Sequence, residues 1–210
     1  QSMGETRSLT LTYDSLRADP RPIVHFGYNN APADSAQKLV AKLTVDAGKF
    51  KYQIPGYSGN QYSLTGGEHF WSMPDGGGSI DAALQVDMSA LPSGQYDYTI
   101  NSGIRRFTGS IFAGSSTDTK DKFMSVNTIN SPFGSGWGIA GWQELVENSD
   151  ASSLLIDGDG SELVFDQSTS AASGYASPPG DFSKFEKLAA GTFRRTLPDT
   201  TVYSFNTDKR

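Results

Sequence analysis

The chain has 210 residues, a formal charge of -6, 23 glycines and no cysteine. The lack of cysteine excludes disulfides, thiolate metal sites and cysteine nucleophiles. The acidic charge argues against nucleic-acid binding, which depends on clustered Lys and Arg. Abundant glycine and aromatic residues, with no long helical pattern, predict an all-β chain, and we favour two domains over one.

The N-terminal half predicts short strands separated by turns. Alternating apolar and hydroxyl residues predict a first strand at residues 8–13, and DSLRADPRP follows as a turn. Residues 80–88 place five apolar side chains on one face and are typical of a half-buried strand. Further strands are predicted at residues 23–28, 39–45 and 104–112. This spacing of strands and turns favours an immunoglobulin- or fibronectin-like sandwich.

A polar segment, residues 114–122, predicts the domain boundary because it has no large apolar side chain. We therefore assign residues 1–122 to the sandwich and residues 123–210 to a second region of hairpins. In that region, two apolar runs flank DGDGS and predict a hairpin. Three more strands are predicted at residues 182–188, 192–197 and 201–205.

Residues 131–142, SPFGSGWGIAGW, form what we call the junction, which combines four glycines with large rings. Its glycines favour sharp bends, while its rings favour anchoring. Three of the glycines spell G-x-G-x-x-G, and Asp157 lies at the distance expected in a dinucleotide-binding unit. Two features oppose that interpretation: the only helical candidate, residues 140–147, is about two turns long, and Trp137 would crowd a pyrophosphate.

The junction and the phrases after it resemble one protein family. NTINSPFGSGWGIAGWQELV, LLIDGDGSELVF, YASPPGDFSKFEKL and TFRRTLPDTTVYSFN occur in this order. They resemble the segment before the YD repeats of bacterial RHS-repeat proteins, which are relatives of toxin-complex shell components and teneurins. LTYDSLRADPRPIV and LPSGQYDYTI resemble the sandwich domain that often precedes such a shell. The turn at Asp199-Thr200 departs from the Asp-Gly usual in the family.

The resemblance implies that the hairpins begin an RHS-type β-shell, which encloses a C-terminal segment of a secreted or cell-surface protein. The partner would then be the remainder of the same chain. No residue matches the self-cleaving core of the family. Met3 follows Gln1-Ser2, which favours a segment of a longer protein, and no apolar run reaches the length of a signal peptide or a transmembrane helix.

The junction residues with a predicted structural role share either a large ring or a glycine: Phe133, Gly136, Trp137, Gly138, Gly141 and Trp142. We expect the three rings to be buried against the first hairpins. Truncating one of them would then cost about 3 to 5 kcal/mol.

Metal and catalytic sites have few candidates. Asp157 and Asp159 in DGDGSE are the candidate calcium ligands, although the spacing fails the EF-hand pattern and Asp-Gly is a common hairpin turn. His25 and His69 lack a recognisable nucleophile motif. The pair Glu144 and Glu147 is expected to face solvent. We therefore predict no enzyme, no metal and no cofactor.

Two binding functions remain as alternatives. A carbohydrate-binding sandwich would use rings near loops, for which Tyr57, Tyr62 and Trp71 are the candidates. A calcium-dependent adhesin domain would use the aspartates of DGDGSE. The sequence leaves open which rings are exposed and whether a Lys and Asn pair forms an isopeptide bond.

Overall fold

The computed structural model describes residues 8–45, 50–51, 68–108 and 111–209. These residues form antiparallel sheets with almost no helix, which confirms the all-β prediction. The described helical elements are one short α-helix, α1 (Ser15–Ala18), and one 3-10 turn at Ala189–Gly191. Asp14 caps α1 by accepting a hydrogen bond from the Leu16 amide at 2.8 Å.

The strands before residue 126 carry the labels β1 to β9. They are β1 (Leu11–Tyr13), β2 (Ile23–Ala31), β3 (Gln37–Val45), β4 (Phe50–Lys51), β5 (Glu68–Ser72), β6 (Gly78–Gln85), β7 (Gly94–Thr108), β8 (Ile111–Gly114) and β9 (Thr117–Ser125).

The strands after residue 126 are shorter, between two and six residues each. They are β10 (Trp137–Ile139), β11 (Gln143–Glu147), β12 (Ser153–Asp157), β13 (Glu162–Gln167), β14 (Tyr175–Ala176), β15 (Lys184–Lys187), β16 (Phe193–Thr196) and β17 (Val202–Phe205).

The chain divides into two compact units. The two-sheet unit contains the described parts of residues 20–91 and 96–125, and the hairpin unit contains residues 8–19, 92–95 and 126–209. The sequence analysis grouped residues 8–19 with the sandwich. In the structure they belong to the hairpin unit instead, because β1 pairs with β10 rather than with a strand of the two-sheet unit.

In the two-sheet unit, a six-stranded sheet contains β3, β4, β5, β7, β8 and β9, while β2 and β6 form a separate pair. Residues of both sheets share one apolar core. Leu43 and Ile100 come from the large sheet, and Val24 and Leu84 come from the pair. The alternation expected for residues 80–88 is present, since Ile80, Ala82 and Leu84 are all buried.

The predicted linker at residues 114–122 is wrong, because β9 occupies Thr117–Ser125 and pairs with β7. Most of its side chains are exposed, so the strand is stabilised through its backbone ladder rather than through an apolar face. The helical candidate at residues 140–147 is also wrong. Its second half is β11, which contributes the buried Leu145 to the core of the hairpin unit.

In the hairpin unit, β11 to β14 form one antiparallel sheet and β15 to β17 form another. The hairpin predicted around DGDGS is β12 and β13, and the three later strands lie within their predicted ranges. Buried aromatic rings form the core. Phe185 stacks against Phe165 at 4.4 Å and against Phe193 at 5.6 Å between centroids, and Tyr175 meets it edge-on at 5.1 Å.

One local device recurs in the turns of the hairpin unit. An aspartate accepts a hydrogen bond from the amide of the Ser or Thr two residues later, which mimics a backbone turn. The pairs are Asp150 with Ser152, Asp159 with Ser161, Asp181 with Ser183 and Asp199 with Thr201. The abundance of D-x-[ST] in this part of the sequence therefore has a structural origin.

Candidate functional site: the glycine and aromatic junction

The junction crosses the hairpin unit as β10, which pairs antiparallel with β1. Tyr13 lies opposite Trp137 in this ladder, and their rings pack at 5.3 Å between centroids. The Asp14 amide donates to the Gly136 carbonyl at 2.9 Å and extends the pairing into α1. The junction therefore binds the N-terminal segment to the hairpins.

Close packing accounts for the first two glycines of G-x-G-x-x-G. A Cβ atom on Gly136 would lie 2.7 Å from a ring carbon of Tyr13, and Gly136 also has a φ of +79°. Gly138 faces Gly158 so closely that a Cβ on Gly138 would lie 2.9 Å from the Gly158 Cα. Gly141 has a φ of +82°, which favours glycine at a turn. These constraints explain the glycines without a phosphate ligand.

The three junction rings are less buried than the sequence analysis expected. Exposed fractions are 37% for Phe133, 41% for Trp137 and 46% for Trp142. Phe133 and Trp142 meet edge-on at 6.2 Å between centroids. Because each ring keeps a large part of its surface in water, truncating one removes less buried area than the expected 3 to 5 kcal/mol would require. The expectation of fully buried anchors is corrected accordingly.

Arg17 is the buried charge at the centre of the junction, with only 6% of its surface exposed. Its guanidinium donates to the Asp157 carbonyl at 3.1 Å and to the Gly160 carbonyl at 2.7 Å. It also forms an ion pair with Glu162 at 2.8 Å. A residue of α1 thus supplies the positive charge that holds the turn between β12 and β13.

The carboxylates of the candidate calcium ligands are engaged in hydrogen bonds within the protein. Asp157 accepts from the Gly141 amide at 2.9 Å through one oxygen and from Gln143 Nε2 at 3.0 Å through the other. Asp159 accepts from the Ser161 hydroxyl and amide, and these bonds lower the pKa of Asp159. Among the residues that the structure describes, no group of three His, Cys, Asp or Glu side chains is placed to hold a metal ion.

The candidate carbohydrate-binding rings are not brought together in the described structure. Trp71 lies in β5, where it packs edge-on against Phe26 at 5.6 Å and against His69 at 4.5 Å. Burial lowers the pKa of His69, which favours a neutral imidazole at pH 7. Tyr57 and Tyr62 lie outside the described residues.

A cleft of about 470 Å³ lies within the hairpin unit beside the junction. We call it the aromatic cleft, because Tyr13, Phe133, Trp137 and Trp142 all contribute to its lining. Tyr13 is 55% exposed, so it is more accessible than the three junction rings. The polar part of the lining includes Asp14, Thr128, Glu144 and Asp159.

Tyr13 and Arg17 are the two residues that sequence reasoning missed. Both lie in or beside DSLRADPRP, which predicted only a turn. An aspartate followed by a short helical stretch is a local signal for the cap of α1. No local pattern identifies the partners of Arg17, because they lie 140 or more residues along the chain.

Comparison with protein-family models, curated proteins and solved structures gives no match for this chain. Within the described ranges, none of the helices has the length and apolar character needed to cross a bilayer.

Proposed function

We propose that this chain is a non-catalytic structural part of a large RHS/YD-repeat-like protein that is secreted or displayed on a bacterial surface. The two-sheet unit would be its immunoglobulin- or fibronectin-like sandwich. The hairpin unit would begin a β-shell around a C-terminal segment. The order of the family phrases in residues 126–205 is the sequence support for this proposal.

The observation that carries the proposal is the aromatic core of the hairpin unit. It continues from one sheet to the next, since Phe165 of β13 stacks on Phe185 of β15, which in turn stacks on Phe193 of β16. Repeated units that cannot bury their apolar faces alone gain stability by sharing a core with their neighbours. A succession of short hairpins with a shared core is therefore suited to growth into a longer β-structure.

The polar groups of the junction also favour a structural function. Arg17 and Asp157 each bind backbone atoms of a neighbouring segment, so their charges are used to hold the crossing. A general acid or base needs contact with a reacting group and a suitably perturbed pKa. The hydrogen bonds of Asp159 lower its pKa, which opposes service as an acid at neutral pH.

Imaging the natural full-length protein by electron microscopy tests this proposal. We expect a hollow β-shell that begins with the hairpin unit and encloses the C-terminal part of the chain. Density with separate globular domains after residue 209 and no enclosed volume would contradict the proposal. Limited proteolysis offers an independent readout, because an enclosed segment should resist cleavage under conditions that degrade the same segment when it is expressed alone.

The two alternatives receive less support from the described residues. The packing of Trp71 within its unit leaves it poorly placed for a sugar-binding platform. The calcium-dependent adhesin would need oxygen ligands that Arg17 and local amides already occupy. Thermal unfolding with a panel of glycans, and with calcium or a chelator, measures both alternatives directly, and a raised midpoint would favour the one concerned.

A further inference from the structure

The aromatic cleft is not needed for the structural function, and its chemistry indicates a ligand. Its volume of about 470 Å³ lies within the range of small-molecule sites, about 300 to 1,000 Å³. Four aromatic side chains line it, each between 37% and 55% exposed. Exposed rings concentrated at one concave surface are unusual, because isolated surface rings need no concavity.

The charge of the lining is strongly negative. Asp14, Glu144, Asp157 and Asp159 contribute carboxylates, whereas Arg17 is the one basic residue in the lining. The guanidinium of Arg17 is buried and directed to the turn between β12 and β13. The cleft therefore offers a negative potential without an accessible cation, which opposes phosphate, sulfate and carboxylate ligands.

Aromatic faces carry negative electrostatic potential, so rings combined with carboxylates attract a positive group. The two ring pairs present differently inclined faces. Tyr13 and Trp137 are inclined by 46°, and Phe133 and Trp142 are nearly perpendicular at 82°. Perpendicular rings form the walls of a cage more readily than a flat platform, and a flat platform is the arrangement that suits sugar rings.

One further polar group in the cleft is available to a ligand. The hydroxyl oxygen of Thr128 is buried and has no hydrogen-bond partner among the described residues. Its backbone is fixed, because its amide donates to the Arg17 carbonyl at 2.9 Å. A ligand that carries a hydroxyl next to its cationic centre would supply the missing partner.

We propose that the aromatic cleft binds a substituted ammonium cation, with the rings of Tyr13, Trp137, Phe133 and Trp142 around the alkylated nitrogen and the carboxylates at the rim. Choline is the simplest probe, because it combines a trimethylammonium group with a hydroxyl. Its neutral carbon isostere, 3,3-dimethylbutan-1-ol, has the same shape without the charge. The proposal does not depend on the proposed shell, so either can fail without the other.

Tryptophan fluorescence during a choline titration tests the proposal. In a Trp71→Phe background the remaining tryptophans are Trp137 and Trp142, which both line the cleft. We expect saturable quenching by choline and at least about tenfold weaker binding of the neutral isostere. Equal affinity for both compounds would overturn the proposal, and so would tighter binding of a neutral disaccharide.

Phosphocholine distinguishes two sources of the same group. Binding of choline but weaker binding of phosphocholine assigns the cleft to a free base, as the acidic rim predicts. Comparable binding of both assigns it to a lipid headgroup, and either result supports the ammonium site. Affinity that does not fall with increasing ionic strength would contradict the electrostatic part of the proposal.

Two variants at the cleft and one outside it complete the experiment. Trp137→Leu is expected to weaken choline binding about tenfold. Because that substitution also touches the junction, Glu144→Gln provides a second variant, and we expect it to weaken binding about threefold or more by removing one rim charge. Asp208→Asn removes the same charge from an exposed residue outside the lining and should bind as the parent does. Equal effects of Glu144→Gln and Asp208→Asn would refute a specific site.

Discussion

Arg17→Met is the substitution that most directly tests how the hairpin unit is held together. Methionine preserves much of the apolar stem while removing the guanidinium. The Gly160 carbonyl then loses the 2.7 Å hydrogen bond from Arg17. The Asp157 carbonyl keeps a hydrogen bond from the Gly160 amide at 3.2 Å, so its loss is partial.

The expected cost follows from these contacts. A hydrogen bond that involves a charged group contributes about 1.5 to 3 kcal/mol, and breaking a buried ion pair costs about 3 to 5 kcal/mol. The side chain of Glu162 is 37% exposed and can be rehydrated, which reduces the second figure. We therefore expect Arg17→Met to lower the free energy of unfolding by about 2 to 4 kcal/mol.

Urea unfolding followed by tryptophan fluorescence measures this loss. The Trp71→Phe background restricts the signal to Trp137 and Trp142, which both belong to the hairpin unit. Arg194→Met is the matched control, since Arg194 is 44% exposed and pairs with Glu186. An exposed pair contributes less than about 1 kcal/mol. If Arg17→Met were no more destabilising than Arg194→Met, the turn would not depend on the buried guanidinium.

Three further predictions concern the glycines, the pH response and calcium. Gly138→Ala places a Cβ 2.9 Å from the Gly158 Cα and should destabilise by about 1 to 3 kcal/mol, whereas Gly27→Ala, with its nearest atom at 3.9 Å, should not; urea midpoints compare them. The Lys187 ammonium lowers the pKa of Glu147, so the stability from this pair is present above the unfolded pKa, about 4.3, and is lost as the pH falls through the lower folded pKa. Unfolding at about pH 5 and pH 3 should therefore show a larger loss for the parent than for Glu147→Gln, and parallel losses would contradict the pair. Millimolar calcium or a chelator should leave the thermal midpoint unchanged, and a calcium-dependent rise would show that the turn at residues 157–161 binds the ion.

The sequence predicts those parts of the fold whose signals are local. The turn in DGDGS and the apolar runs beside it lie within a dozen residues, and they form β12 and β13. Alternation likewise predicts the buried face of β6. In both cases the residues that carry the signal are the residues that form the contact.

Three features could not be predicted because they depend on distant partners. β9 has a polar sequence typical of a linker, but its backbone pairs with β7. Arg17 lies in a polar turn, yet its side chain is buried against atoms that lie 140 or more residues away. The exposure of Trp137 depends on the neighbours that tertiary structure supplies, which composition does not reveal.

The glycine fingerprint shows how one pattern serves a second purpose. In a dinucleotide-binding unit, the glycines approach a pyrophosphate and the acidic residue about 20 positions later binds a ribose. Here the two parts of the pattern bind each other: the Asp157 carboxylate accepts a hydrogen bond from the Gly141 amide at 2.9 Å, and Gly138 packs against Gly158. The close approach that glycine permits is therefore used between two backbone segments of the same unit. The combination of G-x-G-x-x-G with an acidic residue in D-G-D-G accordingly indicates a closed crossing of two segments when the glycines lead into a short strand, as they do in β10, and a nucleotide site only when they begin a long helix.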